Sequence, residues 1–328
     1  MLKLKYLFDN RDLAKMILEN WEYDLSSLGM LDYYRISSNA VYPFQYNGQT
    51  RILRFSPVEE KDKNNLIGEL DFIRYLRLKE YPALKTVVSK NNKEFMEIST
   101  PWGNYFAVVF ERVLGNSLDN IDYTEEICRK HGRYLGKLHS LSSEYNPNKK
   151  FRWSYEDVLE WIEKELLSFP NEAIAKQEAK ILKEYLSKLP KNDQVFGLIH
   201  YDFELDNVFY SQSTDTLSII DFDDSMYHWY VMDIVQALDN IKEEIDCGDF
   251  SIMKENFIKG YREEFDISDE MLLRIPIFRR FANLYGYSRV LRSSAEIWDN
   301  EPEWLVDLRD KLRDAMEECS IFFGKPIE

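Results

Sequence analysis

A charged loop between two apolar runs is the feature that most restricts how this chain can fold. The run "QVFGLI" precedes the stretch "HYDFELDN", which starts at His200 and ends at Asn207, and the run "VFY" follows it. Short apolar runs bounded by polar turns are typical of buried strands. Carboxylates beside a buried strand are costly unless another group pairs with them. The carboxylates of the loop therefore need a group that pairs with them, and the residues after the loop indicate what that group is.

The next segment predicts a β-hairpin that brings this loop to a second acidic position. The runs "VFY" and "LSII" are separated by the polar stretch "SQSTDT". If they pair antiparallel, Asn207 before the first strand and Asp221 after the second lie side by side, with Asp202 in the loop beside them. Amide and carboxylate oxygens are hard ligands of the kind that Mg²⁺ prefers. The spacing therefore predicts a magnesium site at the open end of the hairpin.

The combination of H-x-D-x-x-x-x-N, a hairpin's length and I-D-x-x-D is much more specific than an acidic loop alone. The version here, "HYDFELDN" and then "IIDFDD", resembles the catalytic and metal-binding elements of the protein-kinase-like fold. It looks most like the aminoglycoside phosphotransferase and choline kinase-like family of small-molecule kinases. Eukaryotic protein kinases have D-F-G where this chain has I-D-F-D-D, and no A-P-E segment follows here. The resemblance spans roughly residues 31–239.

The resemblance implies a role for each main polar residue of the motif. Asp202 would be the catalytic aspartate, which accepts or orients the proton of the attacking hydroxyl. Asn207 and Asp221 would hold the Mg²⁺ ions that bridge the phosphates of ATP. His200 would brace the loop, and Asp233 in "YHWYVMDIVQAL" would brace it from further along the chain.

Three positions beside these residues have less defined roles. Asp224 matches the last aspartate of I-D-x-x-D, and its role is open. Asp223 is adjacent and is interpreted as a surface acid. Tyr201 stands where the family commonly has glycine between the His and the Asp. The motif spacing is intact, but we expect a bulkier loop where the substrate would approach.

A buried charge on a predicted helix indicates the nucleotide half of the site. Glu69 lies three residues after Leu66 and four before Ile73, so it shares their apolar stripe. A carboxylate on that face needs a partner, and Arg54 on the preceding strand is a natural one. Related kinases use a strand Lys and a helix Glu to bind and aim the phosphates. Arg54 would bind phosphate in a different geometry, and the alternative is a structural ion pair that contacts no ligand.

Two further stretches are expected to contact the nucleotide. The stretch "RISSNAVYPF" falls where such kinases place the turn that covers the phosphates. It has no glycine, but Ser37, Ser38 and Asn39 offer hydroxyl and backbone N–H groups. The stretch "VVFERVLGNSL" resembles the hinge strand between the lobes. Its backbone would face the adenine at Phe110, Glu111 and Val113.

The acceptor is expected to bind to the helical part of the chain. In "SMYHWYVMD", Tyr227 and Trp229 with their neighbours are interpreted as an aromatic wall, and the acidic stretch "SSAEIWDNEPEWLVD" as an anionic rim. A polyamine sugar or a quaternary amine would suit both, through ion pairs and cation–π contacts. The alternative is that the aromatic residues are core and the acids are solvated surface. An aminoglycoside, homoserine, choline, a sugar or a protein hydroxyl all remain open as acceptors.

The chain has room for two domains of different type. An Asn-Gly in "YNGQ" joins two β-rich runs and predicts a hairpin, and "KTVVS" and "NYFAVVFERVL" are strand candidates around the turn-like "NNKEF". After about Thr124 the chain is largely helical, apart from a β interruption over residues 194–220. We expect an α+β, protein-kinase-like bilobal fold. A small nucleotide-binding lobe with an antiparallel sheet plus one helix would span residues 1–114, and a mainly helical lobe with catalytic loop, metal site and acceptor region residues 115–328.

Composition narrows the remaining possibilities. A net charge of -16 over 328 residues argues against a general nucleic-acid binder. Cys128, Cys247 and Cys319 are widely spaced and form no CxxC pair, which favours a reducing compartment. The N-terminus becomes charged before a secretory apolar core forms, and no apolar run is long enough to span a bilayer. We expect a soluble, cytoplasmic protein with no membrane partner and leave its oligomeric state open.

The implied reaction is Mg²⁺-dependent transfer of the γ-phosphoryl group of ATP or GTP to a hydroxyl of a small molecule. Catalysis would come mostly from positioning and electrostatic neutralisation. One alternative is a bacterial Ser/Thr protein kinase of the same fold, against which the missing activation segment argues. A second is a non-catalytic nucleotide-binding protein, with Arg54 and Tyr201 as signs of decay. The presence of Asp202, Asn207 and Asp221 together favours catalysis.

Overall fold

The computed structural model describes residues 1–245 and 250–327, and Cys247 lies outside these ranges. The chain groups into two compact units. The first unit is Met1–Leu114 together with Ser218–Asp223, and the second is Gly115–Leu217 together with the chain from Asp224 onward. Across the described ranges, none of the helices is both long enough and apolar enough for a membrane span.

The first unit is built on an antiparallel sheet in the order β1-β2-β3-β6-β4, with β5 also paired to β6. Its strands are β1 (Arg35–Ile36), β2 (Ala40–Tyr46), β3 (Gln49–Pro57), β4 (Thr86–Val87), β5 (Phe95–Thr100) and β6 (Gly103–Glu111). Its helices are α1 (Arg11–Leu18) and α2 (Lys63–Leu78), with 3₁₀ turns at Leu4–Tyr6, Leu25–Asp32 and Val58–Glu60.

The predicted Asn-Gly hairpin forms between β2 and β3. Asn47 and Gly48 both have positive φ, 51° and 70°, as a two-residue type I′ turn requires. The Asp24 carboxylate accepts hydrogen bonds of 3.1 Å from both of their backbone N–H groups. The turn fixes the strand register, which pairs Arg54 with Val41 on one side of β3 and with Val108 of β6 on the other.

The sequence interpretation of the segment before β6 was partly wrong. Phe95, assigned to a turn, begins β5, which pairs along its whole length with β6 from Val108 to Gly103. The polar stretch "MEIST" carries little strand signal of its own. Its pairing with the apolar β6 overrides that local preference, as tertiary context commonly does for short strands.

The second unit is mainly helical and carries two small sheets, in the orders β10-β9-β7 and β11-β8. Its helices are α3 (Glu125–Glu144), α4 (Tyr155–Leu166), α5 (Ala173–Leu186), α6 (Val231–Glu244), α7 (Phe250–Tyr261), α8 (Asp269–Leu272), α9 (Ile275–Ser293) and α10 (Glu303–Ser320). Its strands are β7 (Asn116–Ser117), β8 (Phe196–Ile199), β9 (Val208–Ser211), β10 (Thr216–Ile219, whose last two residues belong to the first unit) and β11 (Met226–Trp229), with 3₁₀ turns at Leu118–Asn120 and Leu205–Asn207.

Close packing of α3 against α7 organises the core of this unit. A Cβ at Gly132 would lie 2.0 Å from the carbonyl oxygen of Phe257, and one at Gly136 would lie 2.3 Å from that of Tyr261. Gly260 makes the reciprocal approach to Arg129. Only a residue without a Cβ permits backbones this close, so these glycines are needed for packing. The result is a rigid base on which α3 presents His139 to the centre of the unit.

Candidate functional site

The first unit contains a buried ion pair between β3 and α2. Arg54 Nη1 and Nη2 donate to Glu69 Oε1 and Oε2 at 2.8 and 2.7 Å, in a bidentate pair. Only 8% of the Arg54 side chain and none of the Glu69 side chain is exposed. Burial alone would lower the pKa of Arg54, but Glu69, with Asp223 and Asp221, outweighs it and raises that pKa. The structure thus brings Arg54 and Glu69 together and keeps Arg54 charged.

The segment Ser218–Asp223 is held tightly within the first unit. Ile219 forms a parallel bridge with Ala83, and its backbone N–H donates to Pro82 at 2.9 Å. Phe222 is fully buried, with its ring edge-to-face on Phe72 at 6.0 Å. Both flanks of Asp221 are therefore fixed by backbone or aromatic contacts.

Asp221 itself adopts a left-handed backbone, with φ of 59°. Few non-glycine residues take this conformation, and where they do it often accompanies function. Its Oδ1 lies 3.6 Å from Arg54 Nη1, and 41% of its side chain is exposed. A partly open carboxylate on a fixed turn fits the donor chemistry of a hard cation. Asn207 belongs to the second unit, so joint binding of one ion by the two residues stays a prediction.

Asp223 is not the surface acid that the sequence suggested. Its carboxylate accepts a 3.0 Å hydrogen bond from Asn39 Nδ2 and forms an ion pair with Lys61. Only 12% of the Asp223 side chain is exposed. Asn39 is buried in the turn between β1 and β2, where its carbonyl accepts from the Ser37 N–H at 3.0 Å. Ser38 lies between them and is half-buried. The turn therefore contacts the segment that carries Asp221.

The predicted hinge forms the C-terminal end of β6. Phe110 is buried under the Arg54 guanidinium, 5.1 Å from its ring centre. The N–H of Glu111 donates to Lys85 on one side of the strand, and the N–H of Arg112 donates to Thr50 on the other. Successive N–H groups of an extended chain point to opposite sides. The N–H of Val113 therefore points to the same side as that of Glu111, beyond the end of β4.

In the second unit, Asp233 is the centre of a buried hydrogen-bond network. Its carboxylate accepts from the backbone N–H groups of His200 and Tyr201, at 2.8 and 2.6 Å. It also accepts from His139 Nε2 at 3.0 Å, and His139 Nδ1 faces the Tyr261 hydroxyl at 2.8 Å. Burial lowers the pKa of His139 more than Asp233 raises it, so the imidazole is neutral. One carboxylate thus anchors the start of the charged loop.

The loop then brings Asp202 and Asn207 together. Asn207 Nδ2 donates to the Asp202 carboxylate at 2.8 Å and to the Asp202 carbonyl at 3.0 Å. Because both acceptors are oxygens, they fix the amide orientation and direct the Asn207 oxygen elsewhere. That oxygen is the atom a hard metal ion would bind. His200 is buried, and its Nδ1 accepts from the Asp202 N–H at 3.2 Å.

Tyr201 does not project into the approach to the loop as the sequence suggested. Its side chain is buried, and its ring lies edge-on to Tyr285 of α9 at 5.6 Å. Its φ of 67° is in the left-handed region, which explains why glycine suits this position in the resembled family. The N–H bond to Asp233 and a 3.2 Å bond from Gln236 to its carbonyl hold the strained conformation.

Acidic groups surround the same loop in the second unit. Burial raises the pKa of Glu204 to about 7, and the nearby carboxylates of Asp206, Glu243, Glu244 and Asp224 act in the same direction. Asp224 is paired with Arg289 of α9 at 2.8 Å. Within the described ranges, no three His, Cys, Asp or Glu side chains converge as a metal-holding group.

A known family matches most of this chain. The match to the family described as "Phosphotransferase enzyme family" covers residues 36–266. The chain belongs to the phosphotransferase enzyme family. As a member it is a phosphotransferase that acts on a hydroxyl group of a small molecule, which confirms the family and reaction class predicted from the motif.

Relatives agree with this assignment. Amicoumacin kinase of Bacillus subtilis (strain 168) is 28% identical over 294 residues, which are 85% of each chain. The solved structure of an amicoumacin kinase in complex with AMP-PNP and Ca²⁺ has a TM-score of 0.77 at 23% identity, covering 96% of this chain and 95% of that one. A microcompartment-associated aminopropanol kinase has a TM-score of 0.70 at 20% identity, covering 95% and 97%. At these identities the structural likeness establishes the fold, and the predicted protein-kinase-like α+β fold is confirmed.

The residues expected on the acceptor side of the phosphotransferase lie in its core. Trp229 is fully buried, and its indole N–H donates to the Pro190 carbonyl at 2.8 Å. Tyr227 is 7% exposed on β11, and its N–H donates to Trp153. Core packing, the alternative weighed from the sequence, describes both. In the acidic stretch, Glu301 is paired bidentately with Arg309, so its charge is already neutralised.

Two contacts of the phosphotransferase were missed by sequence reasoning. Lys61 binds Asp223 across 162 positions of the chain, and Arg289 binds Asp224 across 65. Lys61 directly precedes Asp62, whose carboxylate caps α2. A cation beside a helix N-terminus opposes the helix dipole. This unfavourable position was the signal in the sequence that Lys61 has a functional reason to be there. Arg289 offered no such signal, because its partner is set by tertiary packing alone.

Proposed function

We propose that this phosphotransferase moves the γ-phosphoryl group of ATP or GTP to a hydroxyl of a small, amine-bearing molecule, with Mg²⁺ as the metal. The observation that carries the proposal is the loop at 200–207. There Asp202 and Asn207 are joined by a 2.8 Å hydrogen bond, and the loop is anchored by the buried Asp233 carboxylate. A kinase site needs this pre-organisation because phosphoryl transfer depends on positioning more than on covalent chemistry.

In this proposal Asp202 orients the acceptor hydroxyl and receives its proton. The Asn207 amide donates to one carboxylate oxygen, which limits rotation of the Asp202 side chain. Asp202 is half-buried rather than fully buried, which suits a residue that meets an incoming alcohol. His200 and Asp233 act through the backbone, by fixing the peptide groups on either side of Tyr201.

The Asn207 amide oxygen and the Asp221 carboxylate are the proposed Mg²⁺ ligands. When bound, the ion would neutralise the phosphate charge and align the transferred group. Both ligands are hard oxygens, and the orientation of the Asn207 amide and the exposure of Asp221 suit them to this role.

The nucleotide is proposed to bind to the first unit. Arg54, aimed by Glu69, is directed at the phosphates from β3. The turn at Ser37, Ser38 and Asn39 covers the phosphates with backbone and hydroxyl donors. The edge at Phe110, Glu111 and Val113 supplies backbone groups for the adenine, which needs no special side chain.

An amine-bearing acceptor is favoured by the charge around the loop. Glu204 and Asp206 place two carboxylates in the same loop as Asp202, and an ammonium group would relieve their mutual repulsion. The two kinases that this chain is similar to are named for amicoumacin and aminopropanol. We extend an acceptor of this general kind to this chain as a proposal.

A panel assay tests the proposed function. Coupled nucleotide turnover would be measured with ATP and GTP against aminoglycosides, amino alcohols and sugars, with Asp221→Ala as the blank. We expect Mg²⁺-dependent turnover with at least one amine-bearing alcohol and none with the blank. Turnover confined to neutral sugars would contradict the acceptor class, and equal turnover by Asp221→Ala would contradict the site.

A further inference from the structure

Lys61 lies in the loop between β3 and α2, next to the segment that carries Asp221. Its ammonium group forms an ion pair with Asp223 Oδ2, and 21% of its side chain is exposed. We propose that Lys61 is a second cationic ligand of the nucleotide, which binds its phosphate oxygens alongside Arg54. This assignment rests on the proposed function and names a phosphate-binding residue that the kinase motif does not contain.

Arg54 has little freedom to follow a polyphosphate. Both terminal nitrogens of its guanidinium already donate to Glu69, and its side chain is almost fully buried. Its Nη1 also faces Asp221 at 3.6 Å. A guanidinium that is held by two hydrogen bonds supplies a fixed positive charge, but it cannot move to follow a phosphate group.

Lys61 has the mobility that Arg54 lacks. An ammonium group has three N–H donors. Within the described part of the chain, Asp223 is its hydrogen-bond acceptor and engages one of them. The remaining donors sit on a flexible stem that is partly exposed. Lys61 can therefore keep its contact with Asp223 and still donate to phosphate oxygens.

Three contacts place Lys61 at the phosphate end of the first unit. Asp223, which holds it, lies two residues after the proposed metal ligand Asp221. The same Asp223 oxygen accepts from Asn39, which belongs to the turn proposed to cover the phosphates. Asp221 in turn faces Arg54. Lys61, the turn and the Arg54 pair are thus linked through one short acidic segment.

The count of side-chain charges favours a second cationic side chain there. Glu69, Asp221 and Asp223 carry three negative charges, whereas Arg54 alone supplies one positive charge. Lys61 reduces the excess from two negative charges to one. Without it, the cluster would repel a polyphosphate more strongly. The proposed ligand chemistry is therefore the phosphate chain of a nucleoside di- or triphosphate, not its base or ribose.

The test compares nucleotides that differ only in phosphate number. Binding of ATP, ADP and AMP, with Mg²⁺ present, would be measured by titration calorimetry for wild type, Lys61→Met, Lys61→Arg and Lys63→Met. Lys63 is the matched control, since it lies two residues on, pairs with Glu97 at 2.9 Å and is 52% exposed. Methionine keeps the stem of lysine and removes its charge.

We expect Lys61→Met to bind ATP about tenfold more weakly and AMP within about twofold of wild type, since one charge-assisted hydrogen bond to phosphate is lost. Lys61→Arg should recover most of the ATP affinity, and Lys63→Met should match wild type. Unchanged ATP affinity in Lys61→Met, or equal losses for ATP and AMP, would overturn the assignment while leaving the proposed function intact. A wild-type protein that binds none of the three nucleotides would overturn both.

Discussion

The two units hold their buried carboxylates in different ways. In the first unit, Glu69 is balanced by a side chain, the Arg54 guanidinium, through two hydrogen bonds. In the second, Asp233 is balanced mainly by the backbone, through the N–H groups of His200 and Tyr201, with a neutral His139 as the third donor. Many substitutions remove a side-chain donor, but only substitution to proline removes a backbone donor.

This difference has a consequence for what each carboxylate stabilises. A buried ion pair can be exchanged for apolar side chains with little loss of stability, because its desolvation cost offsets much of its attraction. A carboxylate that accepts backbone hydrogen bonds has no apolar substitute, because the N–H groups stay buried and unsatisfied. We infer that Arg54 and Glu69 are retained for what they bind, whereas Asp233 is also needed for the loop to form.

The largest effect is expected for Asp233→Ala. Three buried donors lose their acceptor, so the free energy of unfolding should fall by about 5 kcal/mol, as measured by urea denaturation. Asp310→Ala, an exposed acid in a surface pair with Arg313, is the control and should change stability by less than about 0.5 kcal/mol. A loss in Asp233→Ala as small as in the control would remove the proposed anchor of the loop.

The next largest effect is expected for the ion pair of the first unit, and it separates a role in stability from a role in nucleotide binding. Glu69→Ala leaves a buried guanidinium unpaired and should lower the free energy of unfolding by about 4 kcal/mol. The double variant Arg54→Met with Glu69→Leu should stay within about 1 kcal/mol of wild type but lose nucleotide binding. Urea denaturation and calorimetry would measure the two quantities. A double variant as unstable as Glu69→Ala would show that the pair is structural.

Acid should destabilise the second unit more than the first. All four histidines lie in the second unit. Burial lowers the pKa of His131 and of His228 to about 3, and it lowers that of His139 as well. Because these pKa values lie below the ordinary 6.5, the unfolded chain binds protons that the folded chain does not. The stability they give is present above pH 6.5 and is lost as the pH falls below it.

Glu204 acts in the opposite direction. Its folded pKa of about 7 exceeds the ordinary 4.5, so its contribution is present below pH 4.5 and is lost as the pH rises through 7. The net loss from pH 7 to 5.5 should be on the order of 2 kcal/mol, measured by pulse proteolysis with the cleaved segments identified. His228→Gln should reduce the number of protons that are taken up on unfolding in this pH range by about one. Equal acid sensitivity of the two units would contradict the difference.

The smallest effect concerns the strained residue of the loop. At a left-handed φ of 67°, glycine costs less than any residue with a Cβ. Tyr201→Gly should therefore be more stable than Tyr201→Ala by about 1 kcal/mol, the reverse of the usual order. Thermal denaturation of the two variants would measure it. If Tyr201→Ala were as stable as Tyr201→Gly or more stable, the backbone of the loop would be relaxed at this position.

Local sequence rules predicted the parts of the site that depend on one element at a time. The apolar stripe of α2 required a partner for Glu69, and Asn47-Gly48 required a hairpin. The contacts that escaped prediction depend on tertiary packing. Nothing near Asp223 in the chain indicates Lys61, and an aromatic run gives no sign whether Trp229 faces solvent or core.

The account depends most directly on the role of Asp202, and single-turnover phosphoryl transfer would test it. Asp202→Asn and the exposed control Asp310→Asn would be compared with wild type, using the first active acceptor of the panel, with ATP affinity measured in parallel. We predict that Asp202→Asn slows transfer by roughly 100-fold or more with ATP affinity within about twofold, and that Asp310→Asn changes neither the rate nor the affinity. Transfer by Asp202→Asn at the wild-type rate would contradict the account.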